Sequence, residues 1–562
     1  MSSLNLHCWG GLGDTLAALP IAYALQEYGL DAILKYEKHN TVDTVNVPIQ
    51  DLKPLPLYHE YPDVNVQDVY LTQRWNWMGA KPLIDENLNA LGLEWKSTPR
   101  IASLSVPDLT TLTTRMQTPY VLICAAGRSG QDLKPLSADQ LIAIRKECNA
   151  HNFLTVLIGD HDGNDYWVDV DLRGQTTVKD LCSLTYNAAA VVSTDTGVFH
   201  LAAAYHKMFL LLSPNELLPI TVIQEYFPKI VLTADRSSNI SPQNIRRALN
   251  TLLRVVQMPY SIGGPQRHPC GVAENGRIMA AALNKPYLPY KELTGKYNII
   301  EYYEGDVELQ HVQLDYSRTV ISLHTVDCTN LSSWAGVLFK GVPNYKNAHH
   351  IPKRALYSPL PSVYIAPAAK KYSGRSLNVC WQGLIHVRKG VINLLTAWEY
   401  IQKMVPEATL TILGSTAHED SDKDTINEIM AFADKTKYPS INIQLKDSFT
   451  TQERHTAFLN ADAFCFPDLN NKEQSAAVAN VLGYGVPILT SNCTAHNDTR
   501  AWCDTFSLFT LHETLLKLLT DAEVYDYYAR RAWLGAQFRS TDLIARQYDA
   551  LIRQVMLDSG DF

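Results

Sequence analysis

Two stretches set residues of catalytic type at spacings suited to chemistry on phosphates and hydroxyls. In the first, GGLGDTLAALP, Gly10, Gly11 and Gly13 precede Asp14 and a helical run. A glycine turn opening a helix lets backbone N–H groups approach an anion, and the helix start carries about half a positive charge. Asp14 would repel a phosphate there. A carboxylate at the mouth of a cleft suits instead the acceptance of a proton from a substrate hydroxyl, although the same residue could serve simply as a helix N-cap. In the second, STDTGVFHLAAAYHK (193–207), a strand ends in Ser193, Thr194, Asp195, Thr196 and Gly197, and a helix begins near Val198. Hydroxyls and free N–H groups at a helix start make a seat for a diphosphate, with His200 in the first turn. Asp195 as an N-cap and His200 as a packed core histidine are the structural alternatives.

The elements that must hold these residues are written as strand, then helix. LNLHCW (4–9) reads as a short buried strand, GGLGD (10–14) as a turn, and TLAALPIAYALQEYG (15–29) as a helix with apolar residues at helical spacing. The unit recurs as YVLICAAG before SADQLIAIRKEC, FLTVLIGD, AAVVSTDTG before VFHLAAAY, and MFLLLS. Short Val/Ile/Leu-rich strands alternating with helices argue for parallel sheets covered on both faces. The stretch 255–270, dense in Gly and Pro, reads as a linker. Beyond it come a helix (ENGRIMAAALNK), strands at 319–325 and 377–383, a helix at 391–404, and strands at 408–414, 461–467 and 486–491; a Pro/Ser-rich separator occupies 355–376. The expected fold class is α/β, with four Rossmann-like parallel-sheet subdomains at about 1–115, 116–255, 260–365 and 375–562.

At roughly 100–200 residues per domain, 562 residues hold several compact units, which excludes a single small domain. Charged residues make up 19% and apolar residues 46%, a globular balance rather than a disordered or fibrous one. Lys+Arg 49 against Asp+Glu 57 leaves a net charge of −8, which argues against a generalised grip on nucleic acid or anionic lipid. The cysteines (Cys8, Cys124, Cys148, Cys182, Cys270, Cys328, Cys380, Cys465, Cys493 and Cys503) form no C-x-x-C pair and read as reduced core thiols. The N-terminus lacks the layout of a signal peptide, and no apolar run is long enough to span a membrane. A cytoplasmic protein without a transmembrane segment is expected. Neither H-E-x-x-H nor another zinc spacing occurs, and His349–His350 reads as surface, so no metal is expected.

Taken together, GGLGDTLAALP and STDTGVFHLAAA resemble glycosyltransferase family 9, the heptosyltransferase-like enzymes. The likeness runs over about residues 5–215 in order, through ICAAGRSGQDLKPLSADQLIAI, the LIGD strand and DLRGQTTVKDLCSLTYNAAA. It implies a GT-B fold, with acceptor bound by the first Rossmann domain and nucleotide-sugar by the second. Carried over, Asp14 would be the general base, Lys134 would contact donor phosphate, and Thr194, Asp195, Thr196, Gly197 and His200 would line the donor site. This chain departs from the pattern in a short first domain and in Met208, where a proline usually follows the lysine.

The second half, over about 260–560, resembles glycosyltransferase family 4. PCGVAENGRIMAAAL, WQGLIHVRKGVINLLTAW, ATLTILGS and ADAFCFPDLNNKEQSAAVANVLGYGVPILTSN follow that family's order. The likeness implies that Lys389 reaches a donor diphosphate, with Arg388 standing in for the arginine that Leu384 replaces. Asn480 takes the place of the ribose-binding glutamate, and Glu473 sits one residue out of register. Two fused GT-B-like units, a nucleotide-sugar co-substrate, no tightly bound cofactor and a bifunctional enzyme follow from the two resemblances. The acceptor is a hydroxyl, a saccharide by family expectation. The alternatives are a hydroxylated modified DNA base, as in phage transferases, and a non-catalytic nucleotide- or glycan-binding protein on the same fold; a second half with solvated Lys389 and Arg388 is also open. A Rossmann oxidoreductase is disfavoured, since no strand is followed by G-x-G-x-x-G with an acidic residue about 20 positions on.

Overall fold

The structure, a computed structural model, describes residues 3–9, 12–13, 16, 19–21, 25, 31–37, 66–70, 104, 106–126, 134–160, 166–214, 228–266, 271–293, 295–302, 309, 312–324, 331, 333–340, 354–374, 377–416, 423–434, 436–469, 475–493, 496 and 503–560. Every strand pairing within its sheets is parallel. The first sheet flanks Ser3–Trp9 with Asp31–Glu37 and Val66–Tyr70. The second has six strands, in spatial order Val170–Asp171, Leu154–Ile158, Tyr120–Cys124, Ala190–Thr194, Phe209–Pro214 and Lys229–Ala234. The third, also six-stranded, runs Tyr287–Pro289, Ser261–Gly264, Asn298–Tyr302, Thr319–Leu323, Gly336–Phe339, Ala355–Tyr357. The fourth runs Ile441–Lys446, Thr409–Ser415, Asn378–Leu384, Ala463–Phe466, Ile488–Ser491, Asp504–Phe506.

In both the second and the fourth sheet the strand order, numbered along the chain, is 3-2-1-4-5-6. The order reverses between Tyr120–Cys124 and Ala190–Thr194 in one, and between Asn378–Leu384 and Ala463–Phe466 in the other. At such a reversal the flanking connections leave to opposite faces of the sheet, which opens a crevice outside the carboxyl ends of the strands. The strand sequences YVLIC and AVVST show no alternation because every residue of both is buried. Each Val, Leu or Ile so buried contributes about 1.5–3 kcal/mol.

Local signals set the helix boundaries. Ser137 caps Ala138–Ala150 in a reciprocal box with Gln140. The amide of Gln140 then donates to Ser237 O at 2.9 Å and Ile240 O at 2.6 Å, fastening this helix to the segment that enters Pro242–Gln257. The last helix, Thr541–Ser559, returns across the molecule. Its Ile544, Tyr548, Leu551 and Val555 share one core with Leu249 and Leu253 of Pro242–Gln257 and with Ile299, Val320 and Leu338 of the third sheet.

Several elements differ from the sequence reading. Ser261–Gly264, within the expected linker, is an interior strand paired on both sides. Its glycines are there for close packing rather than for flexibility: a Cβ on Gly263 would stand 2.5 Å from Leu288 O and 2.9 Å from Leu293 Cδ2. Leu12 and Gly13, expected in a turn, are already helical. The strands Asp31–Glu37, Val66–Tyr70, Lys229–Ala234 and Ile441–Lys446 carry charges or amides that hide their strand character. The described cysteines Cys124, Cys148, Cys182, Cys380, Cys465, Cys493 and Cys503 are buried and free. No described helix is long and apolar enough to cross a membrane, and no His/Cys/Asp/Glu group able to hold a metal occurs among the described residues.

Candidate functional site

The reversal point of the second sheet gathers most of the first group of expected site residues. Thr196, and not Asp195, is the N-cap of helix Gly197–Ala204, because its hydroxyl accepts from Val198 N at 3.3 Å. That hydroxyl also lies 3.0 Å from Ser193 Oγ and 3.5 Å from Cys124 Sγ, so it spans the two strands between which the order reverses. Thr194 is fully buried, and its Oγ1 has no hydrogen-bond partner among the described residues.

Lys134 arrives from the loop after the first strand of this sheet, held by the Leu136 N–Ala125 O hydrogen bond of 2.9 Å. Its Nζ meets Asp195 Oδ2 at 3.3 Å, with both side chains largely shielded from water. The pair puts a fixed cation beside the helix start. His200, one turn into the helix, is held neutral: burial pushes its pKa down to about 4, the nearby Lys134 adds to the effect, and Asp195 only partly opposes it. At neutral pH its ring therefore acts as a hydrogen-bonding group, not as a cation.

The same helix start touches the glycine-rich segment of the first unit. A Cβ on Gly13 would stand 2.9 Å from His200 Cδ2 and 3.7 Å from Gly197 Cα, and one on Gly197 would stand 2.8 Å from Leu12 Cβ. A methyl group at either position would press on the facing side chain and force it to shift. The two motifs that the sequence suggests are thus in van der Waals contact across the crevice. Asp14 itself lies outside the described residues.

An analogous arrangement occupies the reversal point of the fourth sheet. The 3-10 turn Val387–Lys389 ends at Gly390, whose φ of 60° favours glycine, and a Cβ there would overlap Pro467 O. The turn is thereby pressed against the loop that follows Ala463–Phe466. Lys389 Nζ meets Asp468 Oδ2 at 3.2 Å; the lysine side chain is 24% exposed and the carboxylate 2%. Burial would raise the Asp468 pKa, but Lys389 and His496 outweigh it and hold the group below its ordinary value. His496 Nε2 stands 3.4 Å from the same oxygen, and its Nδ1 faces Cys493 Sγ at 3.6 Å and Ser491 O at 3.2 Å. Burial lowers the His496 pKa, yet its bonds to Asp468 and Cys493 and the Asp468 charge override this and lift it to about 9.

Lys389 is therefore paired rather than simply solvated, whereas the Arg388 side chain is exposed. Asn480 lies half-buried in helix Ala476–Leu482 and makes no side-chain hydrogen bond among the described residues. Glu473 lies outside them. Asp468, Cys493 and His496 are the members that sequence reasoning missed. The available signal was an acidic residue two positions after a fully apolar strand, in AFCFPD, the position at which a carboxylate reaches a crevice.

Residues 142–212, which include the Thr196 helix start, match the sequence model of Glycosyltransferase family 9 (heptosyltransferase). No curated protein sequence matches this one. Among solved structures, the chain is similar to trehalose-6-phosphate from E. coli bound with UDP-2-fluoro glucose, at 11% identity over 77% of this chain and 99% of that one, TM-score 0.37. It is also similar to E. coli ADP-heptose lps heptosyltransferase II, at 13% identity over 45% of this chain and 99% of that one, TM-score 0.31. For the pneumococcal O-GlcNAc transferase GtfA in complex with UDP and GlcNAc the identity is 13%, over 50% of this chain and 60% of that one, TM-score 0.35. The chain thus spans less than two thirds of the pneumococcal protein, and the segment it shares by sequence with a glycosyltransferase family is 142–212.

Proposed function

We propose that the chain is a nucleotide-sugar-dependent glycosyltransferase of GT-B type, built from units at about 1–115, 116–255, 260–365 and 375–562. The observation that carries this reading is the gathering of the Lys134–Asp195 pair and Thr196 at the helix start whose Gly197 and His200 meet Leu12 and Gly13, at the reversal point of the second sheet. Transfer from a nucleotide-sugar needs stabilisation of the leaving diphosphate and a base on the acceptor hydroxyl. In this reading the helix start at Gly197 and the Thr196 hydroxyl receive the diphosphate, which would take over the Val198 N–H that Thr196 caps. Lys134 shifts from Asp195 towards the phosphate as negative charge grows on it, and neutral His200 donates or accepts a hydrogen bond without adding charge. Asp14, one residue beyond Gly13, takes the acceptor proton.

Lys389 at the corresponding point of the fourth sheet supports a second donor seat in the same chain, to which Arg388, Glu473 and Asn480 are assigned in this reading. Asp468, itself braced by His496, holds the lysine ammonium in place there. A saccharide is the proposed acceptor, in a cytoplasmic setting. The experiment is a donor screen measuring nucleotide release from each common sugar nucleotide, with saccharide and hydroxymethylated-DNA acceptors in parallel. Release with one donor supports the assignment. Tight nucleotide binding without release from any donor would make the protein a non-catalytic nucleotide-binding one.

A further inference from the structure

A half-open pocket of about 240 Å³ lies behind the second sheet, lined among others by Tyr186, Tyr205, His206, Lys207, Arg546 and Arg553. Its floor is made by Ala189 and Met208, which immediately precede strands Ala190–Thr194 and Phe209–Pro214. The pocket is therefore at the amino ends of strands whose carboxyl ends carry the donor seat. A five-residue strand at about 3.3 Å per residue sets the two roughly 16 Å apart. One wall comes from helix Thr541–Ser559, so the pocket forms only where the end of the chain folds back over its first half.

The charges are unequal. Asp542 accepts from Arg546 Nε at 2.9 Å and from Tyr186 OH at 2.8 Å. Asp549 accepts from Arg553 Nε at 3.2 Å and from Tyr260 OH at 2.8 Å. Both carboxylates are thus taken up by an arginine and a tyrosine. The Lys207 ammonium makes no hydrogen bond or close ion pair among the described residues, and it lies 6.0 Å from the Tyr186 ring centroid. Burial brings its pKa down to about 8, Arg546 and Arg553 add to the effect, and the charges of Asp549, which also lines the pocket, and Asp542 only partly oppose it. Two further polar atoms are buried without hydrogen-bond partners among the described residues: Arg546 Nη1, a donor, and Nε2 of His206, which donates in one tautomer and belongs to a residue only 7% exposed. Orphaned polar atoms of this kind are costly unless something binds them. The edge-to-face pair Tyr186–Tyr205, with centroids 5.5 Å apart, supplies an apolar wall beside them.

We propose that this pocket is a binding site, separate from the donor seat, for a phosphate or carboxylate group carried on a sugar-sized molecule. The anion pairs with Lys207, accepts from Arg546 Nη1 and His206 Nε2, and leaves its ring on the tyrosine wall. The volume, below the roughly 300–1,000 Å³ usual for larger ligands, suits one acidic monosaccharide unit and not a nucleotide-sugar.

The test is calorimetric titration of the full chain at low salt with glucose 6-phosphate, with glucuronate and with uncharged glucose. Binding of one or both acids, and not of glucose, is expected, and the stronger of the two identifies the source of the anion. Lys207→Gln should weaken that binding by about ten- to a hundred-fold, the loss of one charge-assisted contact, and Lys207→Arg should retain it. Should the Gln variant fold poorly by circular dichroism, Lys207→Met keeps the aliphatic stem and carries the same expectation. Thr196→Val, in the donor seat, should leave the affinity unchanged. The proposal is overturned if neither acid binds, if Lys207→Gln or Lys207→Met binds as the wild type does, or if Thr196→Val is the variant that loses affinity.

Discussion

Gly197→Ala separates the geometry of the crevice from the stability of the fold. The methyl group would stand 2.8, 3.1 and 3.2 Å from Leu12 Cβ, Cγ and Cδ2, all on the segment that leads to Asp14. Carbon atoms rest at about 3.5–4.0 Å, so Leu12 must retreat by roughly 0.5–1 Å. A misplacement of about 1 Å between reacting groups costs on the order of a hundredfold in rate. The helix itself gains, because alanine is favoured over glycine in a helix by up to about 1 kcal/mol and Gly197 does not need a positive φ. Net stability should therefore move by less than about 1 kcal/mol, while nucleotide release in the presence of acceptor falls by about a hundredfold. Urea unfolding followed by circular dichroism and a steady-state release assay measure the two quantities on one sample. Full activity in a folded Gly197→Ala protein would refute the idea that the Leu12–Gly197 contact sets the distance between base and donor. A loss of stability matching the loss of activity would refute it as well.

Four further outcomes are expected. Asp14→Asn should lower transfer by about 10²–10⁴ with donor affinity nearly unchanged, as the loss of a general base does; a matching loss of helix signal would point to a capping role. Thr196→Val removes the hydroxyl that caps Val198 N, so it should cost about 1 kcal/mol in unfolding free energy and also raise the donor dissociation constant. The folded-state pKa of His496, about 9, is above its ordinary 6.5, so the stabilisation it gives is fully present below about pH 6.5 and fades as pH rises through 9. His496→Gln should flatten the stability profile across that window, which denaturant titrations at a series of pH values would detect. Lys389→Ala leaves the buried Asp468 with His496 as its remaining cation, and unfolding free energy should drop by about 1–3 kcal/mol; an unchanged midpoint would show that the lysine contributes nothing to holding the carboxylate.

The interior strands were legible because burial on both faces leaves an uninterrupted apolar word such as YVLIC or AFCF. Edge strands such as Ile441–Lys446, in which shielded or half-buried residues alternate with exposed ones, and Asp31–Glu37 carry polar residues that disguise them. Ser261–Gly264 read as a linker because glycine has two uses, freedom and closeness, and sequence does not tell them apart; here Leu288 and Tyr287 fill the space a side chain would need. At the candidate site, Thr196, Gly197 and His200 could be placed from a strand-to-helix junction alone. That Lys134 would reach Asp195, or Lys389 reach Asp468, could not: each pair is brought together only by the order of strands within a sheet. The contact of Gly13 with His200 lies between two sheets and has no local signature at all.

The most direct test of the donor seat is equilibrium binding of free nucleoside diphosphates to the full chain and to Lys134→Ala, with Lys389→Ala measured alongside. If the diphosphate rests at the Gly197 helix start, Lys134→Ala should weaken the tighter binding step of the preferred nucleotide by about ten- to a hundred-fold, as loss of a charge-assisted contact does, while Lys389→Ala leaves that step as it was and alters only a separate one. Unaltered affinity in Lys134→Ala, with the loss appearing in Lys389→Ala instead, would contradict the account and put the donor at the reversal point of the fourth sheet.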